Sequence, residues 1–270
     1  MKTINNPIIA EGFGLMTGQP SKVEIKPSLT KGIKFYSKGS EIPVIANYKS
    51  VVSTDNCTVI ANQSSQARLI EHFMAACAIS GINSLEVFTD FPEMPIFDGS
   101  AKKWIELFNE AGLNHSEVSE ITFDKPLYLQ DGNAVISLIP ADSFKVSYMI
   151  NFDHSELKNR WMEFNLNSDK TEIIEARTFG YLKDLEKFQQ MGLALGVNIE
   201  NTIGLTEDGY TTELRSEYEP LKHKVLDIIG DLFLSGYNPL GFKCHILAQN
   251  AGHKSHVMFS KLIAECLGEE

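Results

Sequence analysis

His223 and Asp227 stand four residues apart in a segment that is otherwise strongly apolar. On a helix that spacing puts an imidazole and a carboxylate on one face. Far upstream, Glu71 and His72 are adjacent. Two imidazole nitrogens and one carboxylate oxygen leave a tetrahedral metal one open position, which is how catalytic zinc is held. A carboxylate beside such a ligand, as Glu71 is beside His72, can deprotonate metal-bound water. The chemistry implied is metal-assisted hydrolysis, provided that His72, His223 and Asp227 converge.

The element carrying the spacing sharpens the question. Val225, Leu226, Ile228, Ile229, Leu232, Phe233 and Leu234 cover most of the circumference of a helix over Leu221–Ser235, so that helix is expected to be largely buried. Yet His223, Asp227 and Asp231 recur at four-residue intervals along one face. Aspartate is rarely buried without a partner, because an unpaired carboxylate is expensive to desolvate. A divalent cation would compensate that face directly; a salt bridge to a lysine or arginine would do so more cheaply. Taken singly, the stripe also reads as solvated or ion-paired, His72 as a satisfied buried imidazole and Glu71 as a surface acid. Gly252-His253 follows a strand and precedes the last helix, where a loop histidine can face a cleft or simply meet solvent.

The surrounding elements follow from periodicity. Val23–Ile25, Ile33–Tyr36, Pro43–Ala46 and Cys57–Ala61 read as strands. A helix is expected over Arg68–Ser80, with Leu69, Phe73, Met74 and Cys77 as its apolar stripe and Gly81 closing it. Ser84–Asp90 alternates like a strand. A loop with two prolines runs to Gly99, and Ser100 can cap a helix that Gly112 ends. The polar stretch Asn114–Glu120 is a candidate boundary between domains of residues 1–117 and 118–270. Beyond it, Leu127–Leu129 and Ala134–Ile139 form a hairpin around Asp131-Gly132. Lys145–Phe152 and Trp161–Leu166 continue as strands, and Lys170–Ala176 and Tyr181–Met191 as helices. Pro220 suits the first turn of the long helix. Gly241–Ala248 is then a strand and Val257–Leu267 a helix. Strands then helices, twice over, predicts an α+β fold of two similarly built domains.

Composition narrows the function classes. Of 270 residues 43% are apolar and 22% charged, which suits a soluble protein with a packed core. A formal charge of −11 argues against nucleic-acid binding, while leaving room for an anionic small substrate met by local lysines. Glu11 interrupts the only apolar stretch near the N-terminus, and no run reaches the roughly 18–20 apolar residues of a membrane span. The reading is therefore a soluble, cytoplasmic protein with no integral membrane segment. Cys57, Cys77, Cys244 and Cys266 are widely spaced with no C-x-x-C pair, so free thiols are expected rather than disulfides or a cysteine-held zinc.

Six ordered segments resemble one family. Gly12-Phe-Gly-Leu-Met-Thr-Gly18 is similar to its N-terminal glycine motif, and Glu71-His-Phe-Met-Ala-Ala76 to the segment supplying base and first zinc ligand. Pro92-Glu-Met-Pro-Ile-Phe-Asp-Gly-Ser-Ala101 and Ala176-Arg-Thr-Phe-Gly180 resemble two further motifs. His223-Lys-Val-Leu-Asp-Ile-Ile-Gly-Asp-Leu232 resembles the second zinc segment, with Gly252-His253 after it. Together they are similar to the UDP-3-O-acyl-N-acetylglucosamine deacetylases, zinc amidases of lipid A biosynthesis.

The resemblance implies Zn2+ held by His72, His223 and Asp227, with Glu71 as base toward the attacking water. It implies that the Thr178 hydroxyl helps stabilise the oxyanion. It makes His253, oriented by Asp231, the electrostatic partner and acid to the departing amine. Lys224 and Phe179 would contact a nucleotide-sugar lipid. The helices of both domains would pack between two sheets, the site would lie where the domains meet, and an insert at about residues 193–214 would form the acyl-chain passage. A monomer is expected. The chain departs from the family pattern at Met16, Ile70, Asn250 and His256, and Lys224, Lys243 or Lys254 would have to replace a basic residue missing at Asn250. Those departures leave open a paralogue acting on a different N-acyl sugar. A non-catalytic binding or regulatory module is the third reading, against which the intact Glu71 and His253 speak.

Overall fold

The computed structural model describes residues 2–114, 118–166 and 170–268. The first half runs β1 (Ile8–Phe13), β2 (Pro20–Pro27), β3 (Gly32–Ser37) and β4 (Val44–Ile45), then a small sheet of β5 (Val51–Ser53), β6 (Val59–Ala61) and β7 (Gln66–Arg68). Helix α1 (Glu71–Ile79), strand β8 (Ser84–Thr89) and helix α2 (Lys102–Ala111) complete it. The second half opens with β9 (Ile121–Thr122), β10 (Leu127–Asp131), β11 (Ala134–Pro140), β12 (Lys145–Ile150) and β13 (Arg160–Asn165). A connecting unit follows: α3 (Thr171–Ile174), β14 (Thr178–Tyr181), α4 (Leu182–Gln190) and β15 (Thr202–Leu205). Helix α5 (Glu219–Leu232), strand β16 (Phe242–Gln249) and helix α6 (His253–Cys266) close the chain.

The two large sheets share one topology. Their orders are β1-β2-β8-β3-β4 and β10-β11-β16-β12-β13, with β9 added alongside β16. In each, the late strand inserts between an antiparallel and a parallel neighbour: β8 between β2 and β3, β16 between β11 and β12. Alternation fixes the faces. In β2, Ser21, Val23 and Ile25 point inward while Lys22, Glu24 and Lys26 point out; in β16, Phe242, Cys244, Ile246 and Ala248 are buried and the residues between them are not. One continuous apolar core joins both sheets and the helices. The expected α+β class, with two similar sheet-and-helix units, is what the chain adopts. The boundary expected at 117/118 adjoins residues 115–117, outside the described residues.

Helices α1 and α5 are the central pair. Residues Glu71 through Ala78 of α1 are all buried, so it has no apolar stripe; it is enclosed on every side. Phe73 meets Phe35 of β3 and Trp104 of α2 edge-on. Helix α5 is buried along nearly its whole length, as its composition predicts. The two cross where Gly230 faces the Glu71 carbonyl: a Cβ at Gly230 would lie 2.0 Å from that oxygen. Only glycine permits that approach.

Several boundaries differ from expectation. Helix α1 begins at Glu71, not Arg68, because Arg68 belongs to β7 and Leu69 turns the chain at φ 59°. Glu71 and His72 thus sit in its first turn. Helix α6 begins at His253 rather than Val257, since Ser255 Oγ accepts the Gly252 N–H at 3.0 Å and starts the helix early. His253 is therefore a helix residue, not a loop residue. The helix expected over Lys170–Ala176 is only the single turn α3, because the chain extends at Thr178 to pair β14 with β15 in parallel. Periodicity did not flag β1, β5, β7, β9, β14 or β15. No helix among the described residues is long and apolar enough to cross a membrane, and the four cysteines are free, three of them buried.

Candidate metal centre and catalytic cleft

The first turn of α1 and one face of α5 bring His72, His223 and Asp227 together, with one donor atom from each within 4.8 Å of the others. Asp227 Oδ1 lies 3.3 Å from His223 Nε2 and 3.7 Å from His72 Nε2. The two rings stand edge to face, centroids 4.8 Å apart. All three residues are buried. Their surroundings fix the orientation of each. His223 Nδ1 lies 3.0 Å from the Ala176 carbonyl, which accepts its proton and leaves Nε2 free. That carbonyl is itself positioned, because the neighbouring Arg177 forks onto buried Glu219 at 2.9 and 3.0 Å at the start of α5.

The compensation for the acidic face is partly the lysine pairing that composition left open. Lys224 Nζ donates to Asp227 Oδ2 at 2.6 Å. Asp227 Oδ1, however, is buried with no hydrogen-bond partner, which native interiors seldom tolerate. Burial pushes the His72 imidazole down to about 3, reinforced by the neighbouring His223, and burial likewise lowers His223. Both rings are thus in the neutral form that can ligate a metal. Burial opposes ionisation of Asp227, but Lys224 and the surrounding imidazoles outweigh it and hold the carboxyl well below its usual range. Two neutral nitrogens and one orphaned carboxylate oxygen fit a zinc ion.

Glu71 and His253 flank this group. Glu71 Oε2 accepts the Thr58 N–H at 3.0 Å, and Oε1 lies 3.8 Å from His253 Nε2. Burial raises the Glu71 carboxyl to about 7, against the pull of His253. His253 Nδ1 lies 2.8 Å from Asp231 Oδ2. Burial would lower His253, but Asp231 and Glu71 prevail and lift it to about 9. Asp231 mirrors this: burial resists its charge, yet His253 and the hydrogen bonds from both histidines hold it at about 2. Asp231, His253 and His256 form a second close group of ligand-type atoms, but Asp231 already accepts from both rings, so its donors are spent on one another.

A cavity of about 570 Å³ opens from the group. Thr178, Phe179, Lys224, Glu71, His72, His223, Asp227 and His253 all line it, while Asp231 lies behind His253. Phe179 stands edge-on to His223, centroids 6.1 Å apart, and against Phe152. Away from the polar end the walls are apolar: Leu182, Leu185 and Phe188 of α4, then Ala194, Val197 and Ile199. The wall therefore begins well before the insert expected at 193–214. Leu15 and Met16 line it beside that stretch, their carbonyls accepting the Gly196 and Leu195 N–H groups at 3.0 and 3.1 Å. Buried Glu93 holds them there by accepting the Met16 N–H at 2.6 Å and the Thr17 N–H at 3.0 Å. Ile70, the buried residue before Glu71, caps α1 without a side-chain hydrogen bond. Asn250 adopts φ 49° and donates its N–H to Met149. Lys243 and Lys254 pair with Glu120 and Asp131 at 2.6 and 2.8 Å. Among the described residues, Lys224 is the lysine that lines the cavity.

Sequence reasoning missed Thr58, whose N–H and hydroxyl bind Glu71 and Asp231, and Tyr148, which contacts His256. A backbone N–H has no sequence signature, and Tyr148 reads simply as a strand residue.

Sequence comparison places the chain among known proteins. The family model described as UDP-3-O-acyl N-acetylglycosamine deacetylase matches residues 1–265. A UDP-3-O-acyl-N-acetylglucosamine deacetylase of Leptospira biflexa is 36% identical over 271 residues, covering 97% of this chain and 89% of that protein. The Nautilia profundicola protein of the same name is 36% identical, with 98% and 92% covered. That of Histophilus somni is 34% identical over 265 residues, with 93% and 86% covered. The chain belongs to the UDP-3-O-acyl N-acetylglycosamine deacetylase family.

Proposed function

We propose that the protein removes the N-acetyl group of UDP-3-O-acyl-N-acetylglucosamine, a step of lipid A biosynthesis, by zinc-dependent hydrolysis in the cytoplasm. The observation that carries this reading is Asp227 Oδ1, a buried oxygen without a partner facing two neutral imidazoles. His72, His223 and Asp227 are the proposed zinc ligands. A zinc ion bound there supplies Lewis acidity, lowering the pKa of water to about 7 and polarising the acetyl oxygen.

The remaining work falls to the chain. Glu71, raised to about 7 and fixed by the Thr58 N–H, accepts a proton from the attacking water. The Thr178 hydroxyl donates to the oxygen that gains charge as the amide carbon becomes tetrahedral. His253, protonated below about 9, gives its Nε2 proton to the departing amine nitrogen. Acetate and the free amino sugar leave. Asp231 holds His253 through Nδ1, and the apolar arm of the cavity takes the acyl chain, with Phe179 and Lys224 against the sugar nucleotide. We read residues 1–117 and 118–270 as two domains meeting at α1 and α5, and the chain as a monomer.

Metal analysis coupled to an acetate-release assay tests this. About one zinc per chain and acetate from the UDP substrate are expected; folded, zinc-replete protein that releases none overturns the proposal. A second reading, an N-acyl sugar without the nucleotide, is favoured by Asn250 and by the pairing of Lys243 and Lys254 with acids. A panel varying the nucleotide and the acyl chain separates the two.

A further inference from the structure

Asp231 Oδ2 faces two imidazoles rather than one. His253 Nδ1 lies 2.8 Å away and His256 Nδ1 2.9 Å away, while the Thr58 hydroxyl donates to Oδ1 at 2.6 Å. His256 is fully buried, and its Nε2 lies 2.9 Å from the Tyr148 hydroxyl, which reaches the Ala251 carbonyl at 2.8 Å. Ala251 precedes His253 by two residues and His256 follows it by three. Tyr148, His256, Asp231 and His253 therefore close a ring around the first turn of α6.

Counting protons assigns each contact. An ionised Asp231 can only accept, so both Nδ1 atoms carry hydrogen. Tyr148 has one proton. Directed at Ala251, it leaves its oxygen to accept from His256 Nε2; directed at His256, it leaves that ring neutral. Burial lowers His256 and favours the neutral ring. In both cases the His256 Nδ1–H occupies part of the accepting capacity of the oxygen that grips His253. The titratable and charged groups around this pair are Tyr148 from β12, Lys224, Asp227 and Asp231 from α5, Glu71 from α1, and His253 with His256 on α6.

We infer that His256 is a positioning residue of the reaction: by sharing Asp231 Oδ2 it fixes His253 with Nδ1 protonated and loosens the carboxylate's hold on the His253 charge, so that the Nε2 proton stays transferable. The inference rests on the proposed role of His253 as acid. A space-filling role would leave the proton affinity of His253 untouched; this one does not. Without the second donor, Asp231 turns its full charge on His253, which then holds its proton to higher pH and releases it less readily.

The test compares His256→Leu with His256→Asn, whose side-chain amide can offer an N–H where Nδ1 was. In His256→Leu the alkaline limb of the kcat/KM profile should move up by about one pH unit, the size expected for a changed charge partner. Its kcat should fall roughly tenfold with KM within about twofold of wild type, as for loss of a group acting through another. His256→Asn should return the limb to its wild-type place. Ring 15N shifts, read in metal-free protein without turnover, should report protonated Nδ1 on His256 and an upward-shifted His253 titration in His256→Leu. An unmoved limb in folded His256→Leu, or unprotonated His256 Nδ1 in the wild type, overturns the inference. If His256→Leu does not fold, the wild-type 15N shifts and the limb of His256→Asn decide alone. Should the wild type release no acetate, the proposed function fails, and the His253 titration still reads the coupling.

Discussion

Lys224 Nζ and Asp227 Oδ2 are joined at 2.6 Å, which leaves the other oxygen of the same carboxylate turned toward His72 and His223 with no partner. The lysine therefore does two things at once: it keeps Asp227 ionised and dictates which oxygen faces the nitrogens. Lys224→Met should weaken zinc binding by about 10–100-fold, the usual cost of losing a group that orients a ligand. Competition with a chelator measures it, and unchanged affinity would remove Lys224 from that role. His72→Ala, His223→Ala and Asp227→Ala should each lose the metal altogether, with no residual acetate release.

Glu71 makes no contact needed to hold the ion. Glu71→Ala should retain one zinc per chain yet lose about 10²–10⁴-fold in turnover, the range typical of a positioned base. Metal content and kcat measured on one preparation separate base from ligand. A near-normal rate in that variant is incompatible with the assignment.

With His253 as the proposed acid, its charge should set an upper pH limit. Its imidazole is lifted to about 9 by Asp231 and Glu71, over the opposing effect of burial. The acid form is present below that value and lost above it, so kcat/KM should fall as pH rises through about 9. His253→Ala should keep its zinc and show no such limb. If that limb persists in His253→Ala, the titrating group is another one.

Gly230 offers a test of the seam between the two helices. A methyl group there would meet the Glu71 carbonyl at 2.0 Å, and neither backbone can yield without moving Glu71 or Asp231. Gly230→Ala should cost about 1–3 kcal/mol of stability, as overpacked interiors do, and lower kcat as well. Thermal unfolding and turnover measure the two effects; a variant with wild-type melting temperature would mean the helices can part freely.

What could be read in advance, and what could not, divides along physical lines. The stripe of His223, Asp227 and Asp231 survived because a helix enforces its period even when everything around it is apolar. Helix α1 kept its identity but lost its expected start, since Leu69 at φ 59° breaks a pattern that composition alone would continue. His253 was legible as a residue and not as the head of α6, because Ser255 caps the helix through its own hydroxyl rather than through a typical N-cap side chain. Strands β14 and β15 are four residues each and form a small sheet of their own, too short for periodicity to announce them. Thr58 is the clearest omission: what it gives Glu71 is a main-chain N–H, placed by the tertiary fold.

Gly99 lies where three stretches of chain touch. Its carbonyl accepts the Thr178 N–H at 2.9 Å, and a Cβ on it would collide with the Asn201 carbonyl at 1.8 Å. The strand bearing Thr178 and the turn leading into β15 are thus both referenced to one point on the first half of the molecule. If the apolar arm of the cavity measures acyl chains, it is a ruler whose zero cannot slide. Any retuning of chain length must then be made among the apolar side chains that line the cavity, such as Leu185, Phe188, Val197 and Ile199.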